Sequence, residues 1–383
     1  MPPVKESESS RAPESGRPRK SPRILVLGGG SLGLYATRRL RRRLARRDAS
    51  IVVVDPRPYM TYAPFLPEAA AGSIDARYAV APFHKAFKGV TTLQGKVSEI
   101  RHGERRVQVT PAIGEPYWVT YDHLIVGLGS VARTLPIPGL AEEGIGFKQI
   151  EEAIALRNHV LGRIDLAAST WDADLRRRML TFTFVGGGFA GIEALGEVED
   201  MARYAVRVHP GMRPEDLRFV LVEGSYRVLP EVSEELGGYT LEQLRKRGIE
   251  VHLSTFLDSC EGGHVKLSDG TEFESDTIVW TAGVKANPVL GSSDLPLDPQ
   301  GRVRTNAALR VERQVRLREH GVGLHARRPH DRVRLERGAV RQLDVTPHAR
   351  AEERGEVHLD APLAQPLDRV AAQLLGHLGQ HPG

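Results

Sequence analysis

RILVLGGGSLG, residues 23–33, and TFTFVGGGFAG, residues 181–191, decide the fold of this 383-residue chain. Each stretch places glycines at G-x-G-x-x-G spacing directly after an apolar strand and directly before a helical run. The first glycine of such a loop makes the tight turn, the second admits the backbone to a pyrophosphate, and the third lets helix pack against strand. One such loop could be a mere tight turn, whereas two in one chain predict two dinucleotide sites.

An acidic residue ends the strand that follows each loop. Asp55 comes after the apolar run 51–54, and Glu223 comes after the apolar run 219–222. A carboxylate at this position accepts hydrogen bonds from ribose hydroxyls and disfavours a 2′-phosphate. The second site is therefore predicted to prefer NADH to NADPH.

Later segments of the two halves also resemble each other. Residues 122–127 and 276–283 both run from an aspartate through an apolar strand into a glycine turn. Each half is therefore predicted to hold a βαβ unit, a small meander and a returning strand. Parallel strands alternating with helices predict an α/β fold with two Rossmann-like dinucleotide-binding domains.

Charge and cysteine content exclude several kinds of function. The formal net charge is +5, but residues 1–22 hold five basic and three acidic residues, and residues 313–383 hold twelve arginines and nine acids. The intervening chain is therefore neutral, which argues against a nucleic-acid partner. Cys260 is the only cysteine, so the chain has no internal disulfide, no Cys-x-x-Cys redox pair and no cysteine-based metal site.

Four local predictions concern secondary structure. A helix is expected over about 31–47; its arginines form either a solvated outer face or a surface for membrane or nucleic acid. Residues 56–68 are too rich in proline for regular structure and are expected to pack as a loop on a cofactor. Residues 150–165 are expected to form a linking helix, and residues 269–270 a hairpin turn.

With these motifs the chain resembles the flavoproteins that bind two dinucleotides, and specifically the type II NADH dehydrogenases, over residues 23–312. The likeness is carried by the loop after Asp55, the turn 127–130, the second glycine loop and the stretch 280–284. The resemblance implies a glutathione-reductase-like arrangement, with FAD on the first glycine loop and NADH on the second. It further implies electron transfer to a quinone without proton pumping, at the cytoplasmic face of the membrane.

The resemblance also implies roles for particular residues. Glu193 matches the family's acid near the contact between nicotinamide and flavin and is predicted to be catalytic; the alternative is an exposed helical acid, four residues before Glu197. No metal site is predicted. The residues predicted to bind the cofactors are Gly28, Gly30, Ser31, Gly33, Asp55, Pro64, Phe65, Gly127, Gly129, Ser130, Gly186, Gly188, Gly191, Glu223 and Gly283.

The predicted domain organisation follows the two halves. It consists of a disordered leader (1–22), an FAD-binding domain (23–149), an NAD(H)-binding domain (150–284), a return to the FAD-binding domain (285–312) and an atypical tail (313–383). The tail lacks the family's Gly-Asp flavin motif and is rich in arginine and histidine. An off-frame or disordered end is preferred to a new domain, to a histidine metal site or to an amphipathic membrane helix, and weak flavin retention is expected.

Three hypotheses about function remain open. The first is an NADH:quinone oxidoreductase whose partner is a quinone or similar small acceptor, located in the cytoplasm with peripheral membrane contact, and with a homodimer left open. The second is an NADH-dependent flavoprotein reductase of a small redox protein such as a ferredoxin. The third is a truncated product with impaired flavin binding.

Overall fold

The computed structural model describes residues 21–133 and 135–311, all within a unit that spans residues 1–312. The predicted leader, apart from residues 21–22, and the predicted tail lie outside the described residues. The described helices are α1 (Ser31–Arg43), α2 (Leu66–Ala71), α3 (Phe83–Ala86), α4 (Leu140–Glu143), α5 (Ile150–Ala168), α6 (Ala173–Met179), α7 (Phe189–Val206) and α8 (Glu234–Lys246).

The structure also describes nineteen strands. They are β1 (Arg23–Leu27), β2 (Ser50–Asp55), β3 (Tyr59–Thr61), β4 (Val80–Pro82), β5 (Thr91–Gln94), β6 (Lys96–Arg101), β7 (Arg106–Thr110), β8 (Tyr117–Thr120), β9 (His123–Val126), β10 (Ser130–Ala132), β11 (Gly144–Gly146), β12 (Thr181–Val185), β13 (Arg218–Glu223), β14 (Glu250–Leu253), β15 (Leu257–Ser259), β16 (His264–Leu267), β17 (Glu272–Glu274), β18 (Thr277–Trp280) and β19 (Val284–Ala286).

The first half forms a parallel sheet with the strand order β5-β2-β1-β9. Apolar residues of β1 and β2 are buried without interruption, as expected of parallel strands that are covered on both faces. The antiparallel meander β6-β7-β8 follows β5 and shares an apolar cluster with the sheet, in which Leu25, Val54 and Val107 are buried.

The second half repeats this plan. Its parallel sheet has the order β11-β18-β12-β13-β14, and the antiparallel meander β15-β16-β17 precedes the returning strand β18. The hairpin turn predicted at residues 269–270 joins β16 to β17, where Gly270 has φ +87°. The predicted α/β fold class with two Rossmann-like units is therefore confirmed.

The chain passes between the halves through two glycine turns that lie side by side. Strand β10 follows the turn after β9, strand β19 follows the turn after β18, and the two pair as an antiparallel ribbon. The indole N–H of Trp280 donates to the carbonyl of Arg133 over 3.0 Å, which ties the two passages together. Leu290 and Leu295 then pack in the same apolar cluster as Leu25.

The predicted domain boundaries stay predictions, but two structural facts bear on them. Strand β11 pairs with β18 in the second sheet, so the second sheet recruits residues 144–146, before the predicted boundary at residue 150. The segment after β19 also contacts the first half through Asp294, whose carboxylate accepts hydrogen bonds from the backbone of His102 and Gly103.

Two local predictions were wrong. Residues 56–68 are not an irregular loop, because they contain β3, a 3-10 turn at Ala63–Phe65 and the start of α2. Helix α1 ends at Arg43 instead of Arg47, since Asp48 accepts a hydrogen bond from the backbone N–H of Ala45 and stabilises a separate turn. The predicted linking helix is confirmed and continues to Ala168.

Candidate functional site

Three glycines shape the first loop by close packing. Gly28 has φ +91°, and its N–H donates to the carbonyl of Val54 over 2.8 Å. A Cβ added at Gly28 would lie 2.1 Å from the carbonyl oxygen of Gly127, and one added at Gly33 would lie 1.9 Å from that of Gly28. Neither position therefore accepts a side chain, and Gly127 belongs to the same tight cluster.

Gly30 differs from these glycines because it borders open space. No atom lies within 4 Å of a Cβ added there, and its extended backbone (φ −62°, ψ −168°) suits any residue. Helix α1 begins at the next residue, Ser31, with no side-chain cap and no acid in its first turn. The free N–H groups and the positive end of the helix dipole are therefore available to an anion at this loop.

Asp55 is tied to the first loop by its carboxylate. One oxygen accepts from the N–H of Gly29 over 2.7 Å, and the other accepts from the N–H of Arg57 over 2.9 Å. Burial raises the pKa of Asp55 above its ordinary value, while these two N–H groups act in the opposite direction. Asp55 thus holds the loop in shape, a role additional to the predicted contact with ribose.

The second loop has the same construction. Gly186 has φ +114°, and a Cβ added at Gly191 would lie 1.9 Å from the carbonyl oxygen of Gly186. The hydroxyl of Thr281 lies 2.7 Å from the Cβ position of both glycines. Gly188 is again the open position, where the nearest atom, an oxygen of Glu231, lies 3.8 Å from an added Cβ.

Glu223 occupies the place in the second loop that Asp55 occupies in the first. Its carboxylate accepts from the N–H of Gly187 over 2.5 Å and from the N–H of Ser225 over 2.6 Å. The acid is partly buried at the end of β13. Two loops of one design, each held by an acid and open at its second glycine, therefore occur in this chain.

The two turns that lead into β10 and β19 also match each other. Gly129 has φ +68° and Gly283 has φ +80°, and neither has an atom within 4 Å of an added Cβ. The ammonium of Lys148 donates to the hydroxyl of Ser130 over 2.5 Å, and burial lowers the pKa of Lys148. These turns are open, and a residue other than glycine would be strained at either one because of the positive φ.

Glu193 lies on α7, two residues after the last glycine of the second loop, and is partly buried. Burial, together with the negative charges of Glu68 and Glu197, raises the pKa of Glu193 to about 7. The alternative of a fully exposed helical acid does not fit this burial. A carboxyl group with a near-neutral pKa can exchange a proton at physiological pH.

Glu68 and its helix were missed by the sequence analysis. Helix α2 packs against α5 and α7 of the other half, and one carboxylate oxygen of Glu68 is buried without a hydrogen-bond partner. The available signal was Pro67 near the start of an alanine run, which favours a helix start. Predicted site residues Pro64 and Phe65 lie in the exposed 3-10 turn just before this helix.

The fold and its paired loops define a two-dinucleotide α/β protein. The model of the pyridine nucleotide-disulphide oxidoreductase family matches residues 22–315, and the chain belongs to that family. Among the described residues, no helix is long and apolar enough to cross a membrane. The described residues also hold no cluster of His, Cys, Asp or Glu with the arrangement of a metal site.

Two proteins of similar sequence and one of similar structure are NADH:quinone oxidoreductases or NDH2 proteins by name. A type II NADH:quinone oxidoreductase of Mycobacterium tuberculosis is 28% identical to this chain in the matched region. That region covers 75% of this chain but only 64% of the relative's length. The type II NADH:quinone oxidoreductase of Staphylococcus haemolyticus is also 28% identical, over 76% of this chain and 71% of its own length. The solved structure of NDH2 from Plasmodium falciparum with NADH superposes on this chain with a TM-score of 0.67 at 17% sequence identity. The superposed region covers 74% of this chain and 59% of the NDH2 chain, which shows a shared fold.

Proposed function

We propose that this chain is an FAD-dependent NADH dehydrogenase that passes a hydride from NADH to flavin and electrons on to a quinone. One observation carries the proposal: each half has a glycine loop that is packed at its first and third glycines and open at its second. An open second glycine at a helix start is the space that a pyrophosphate needs. The names of the bacterial relatives support NADH as donor and quinone as acceptor.

The first loop would hold FAD. Its pyrophosphate would face Gly30 and the start of α1, with Asp55 as the ribose acceptor. Gly127, Gly129 and Ser130 would border the cofactor at the end of β9. The remaining proposed contacts in this half are Gly28, Gly33, Pro64 and Phe65.

The second loop would hold NADH. Its pyrophosphate would face Gly188 and the start of α7, and Glu223 would accept from the ribose next to the adenine. The remaining proposed contacts in this half are Gly186, Gly191 and Gly283. The chemistry that bound FAD supplies is acceptance of a hydride from NADH and release of electrons to an acceptor.

The protein's own chemical contribution is proposed to centre on Glu193. Its carboxyl group can hold or release a proton near neutral pH, because burial and two neighbouring acids raise its pKa to about 7. Reduction of a quinone consumes protons as well as electrons, so an acid of this strength suits that acceptor. The absence of a second cysteine leaves the chain without the sulfur relay of the disulfide reductases.

Location and assembly are parts of the same proposal. A quinone is held in the membrane, so a protein that reduces one works in peripheral contact with the membrane surface, here at its cytoplasmic face. We also propose that the division into an FAD-binding domain, an NAD(H)-binding domain and a returning segment follows residues 23–149, 150–284 and 285–312. A homodimer is compatible with this proposal.

The test uses the full chain. Titration with FAD, followed by absorbance and fluorescence, is expected to show one flavin site per chain, and NADH is expected to be oxidised with a short-chain quinone as acceptor. Turnover with a ferredoxin and not with quinones would favour the protein-reductase alternative. Failure to bind FAD at all would contradict the proposal and favour the truncated-product hypothesis.

A further inference from the structure

A cavity of about 500 Å³ lies on the outer side of the first half, between α1 and the segment around α3. Every charged residue that lines the cavity is a cation. Three come from α1, one from α3 and one from the chain just after α3: they are Arg38, Arg41, Arg42, Lys85 and Lys88.

These cations have no acidic partner among the described residues, where each arginine and lysine of the cavity lies beyond salt-bridge distance from any carboxylate. Other surface arginines of the described chain behave differently; Arg101 pairs with Glu99 over 2.6 Å and Arg218 with Glu250 over 2.7 Å. Five like charges around one cavity repel each other, and a bound anion would relieve that repulsion.

Thr37 supplies a second and independent observation. Its side chain is 0% exposed and lines the cavity, yet its hydroxyl has no hydrogen-bond partner. A buried hydroxyl is normally hydrogen-bonded, because leaving it unpaired is unfavourable. Because Thr37 lines the cavity, its hydroxyl is within the wall of the site, and a threonine hydroxyl can donate to a phosphate oxygen.

We propose that this cavity binds a phosphate group, carried either by a soluble pyrophosphate-type ligand or by an acidic phospholipid headgroup. The site is distinct from the first glycine loop: Arg41 lies ten residues beyond Ser31, which is about 15 Å along the helix. A discrete concave cavity on a body whose charges balance overall suits one phosphate group better than a nucleic-acid track. The proposal does not depend on the proposed activity.

Two matched variants test the charged lining. The lining variant combines Arg38→Gln, Arg42→Gln and Lys88→Gln; the control combines Arg39→Gln, Arg43→Gln and Arg47→Gln, which removes the same charge from exposed positions outside the cavity. Binding of inorganic pyrophosphate is measured by calorimetry, and binding to phosphatidylglycerol or phosphatidylcholine vesicles by sedimentation. The lining variant is expected to bind at least about tenfold more weakly, and the control to bind as the parent does.

Pyrophosphate and phosphatidylglycerol vesicles distinguish the two possible sources of the phosphate group. Binding of pyrophosphate alone supports a soluble ligand, and binding of phosphatidylglycerol vesicles alone supports a lipid headgroup, provided in each case that only the lining variant loses it. Thr37→Val is expected to weaken the same binding, while Thr37→Ser retains it, with both proteins checked for folding by thermal melting. No binding of either ligand, an equal loss in the control, or binding of RNA alone would overturn the proposal.

Discussion

At the scale of single residues, we expect Glu223 to decide which nicotinamide dinucleotide the second loop accepts. Both of its oxygens are already held by backbone N–H groups, so the carboxylate cannot swing away from a 2′-phosphate. We expect NADH to be used at least about tenfold better than NADPH, a difference of about 1.4 kcal/mol. The ratio of kcat/KM values for the two donors measures this preference.

The matched variants are Glu223→Gln and Glu235→Gln. The first is expected to narrow the preference for NADH, and the second, an exposed acid in the first turn of α8, should leave it unchanged. Equal use of NADPH by the parent protein would show that Glu223 has been assigned the wrong role.

Glu193 gives a prediction about pH. Its pKa is about 7 in the folded protein against an ordinary 4.5, so the folded state holds the proton more tightly than the unfolded state does. Stability contributed by this group therefore falls as the pH rises from 4.5 to 7 and stays low above that range. Glu193→Gln should accordingly stabilise the protein at about pH 8, by on the order of 1 kcal/mol after discounting for partial exposure.

Chemical denaturation at a series of pH values measures this effect. The difference between variant and parent should shrink as the pH falls through 4.5, because below that pH Glu193 is protonated in both states. Glu242→Gln, an exposed acid on α8, serves as the control and should show no such trend. A stabilisation that is independent of pH would mean that burial of the Glu193 charge is not its cause.

At the scale of elements, substitutions at two glycines of the first strand–loop–helix unit are expected to have opposite effects on folding and on cofactor binding. Gly30→Val should leave the fold intact, because a Cβ added there meets no atom within 4 Å, but it should block the space proposed for a pyrophosphate. Gly33→Val should disrupt the packing of α1 on β1 and cost at least about 2 kcal/mol, because its Cβ would meet the carbonyl of Gly28.

Circular dichroism, thermal melting and FAD titration separate these two effects. Gly162→Ala, at an open position on α5, is the control for adding a side chain to a glycine. Normal FAD affinity in a folded Gly30→Val protein would contradict the proposed FAD site.

Some structural elements could be predicted from the sequence and others could not. The glycine loops, the acids that end β2 and β13 and the hairpin at Gly270 were predictable because local geometry requires those residue types. Helix α2 was not, because prolines dominate the preceding residues and the helix is stabilised by packing against α5 and α7. The pKa of Glu193 depends on Glu68, a residue 125 positions earlier in the chain, and no local pattern reveals such a neighbour.

At the scale of the whole molecule, a substitution in one glycine loop should prevent dinucleotide binding at that loop only. Gly188→Val should leave FAD binding unchanged and lower NADH oxidation by about a hundredfold, since its side chain enters the second open space only. Gly30→Val should lower both FAD binding and turnover. FAD titration together with NADH kinetics on the two variants gives the comparison, and a loss of FAD in Gly188→Val would argue against two separate sites.

The paired strands β10 and β19 have a mechanical consequence. Two single connections at separate places would let one half tilt or twist on the other about several axes. Here the outgoing and returning connections are hydrogen-bonded to each other, and the Trp280 indole fastens them at one end. This paired ribbon acts together with the packing of α2 against α5 and α7, so the halves are linked at two places and we expect the separation of the two loops to stay nearly constant.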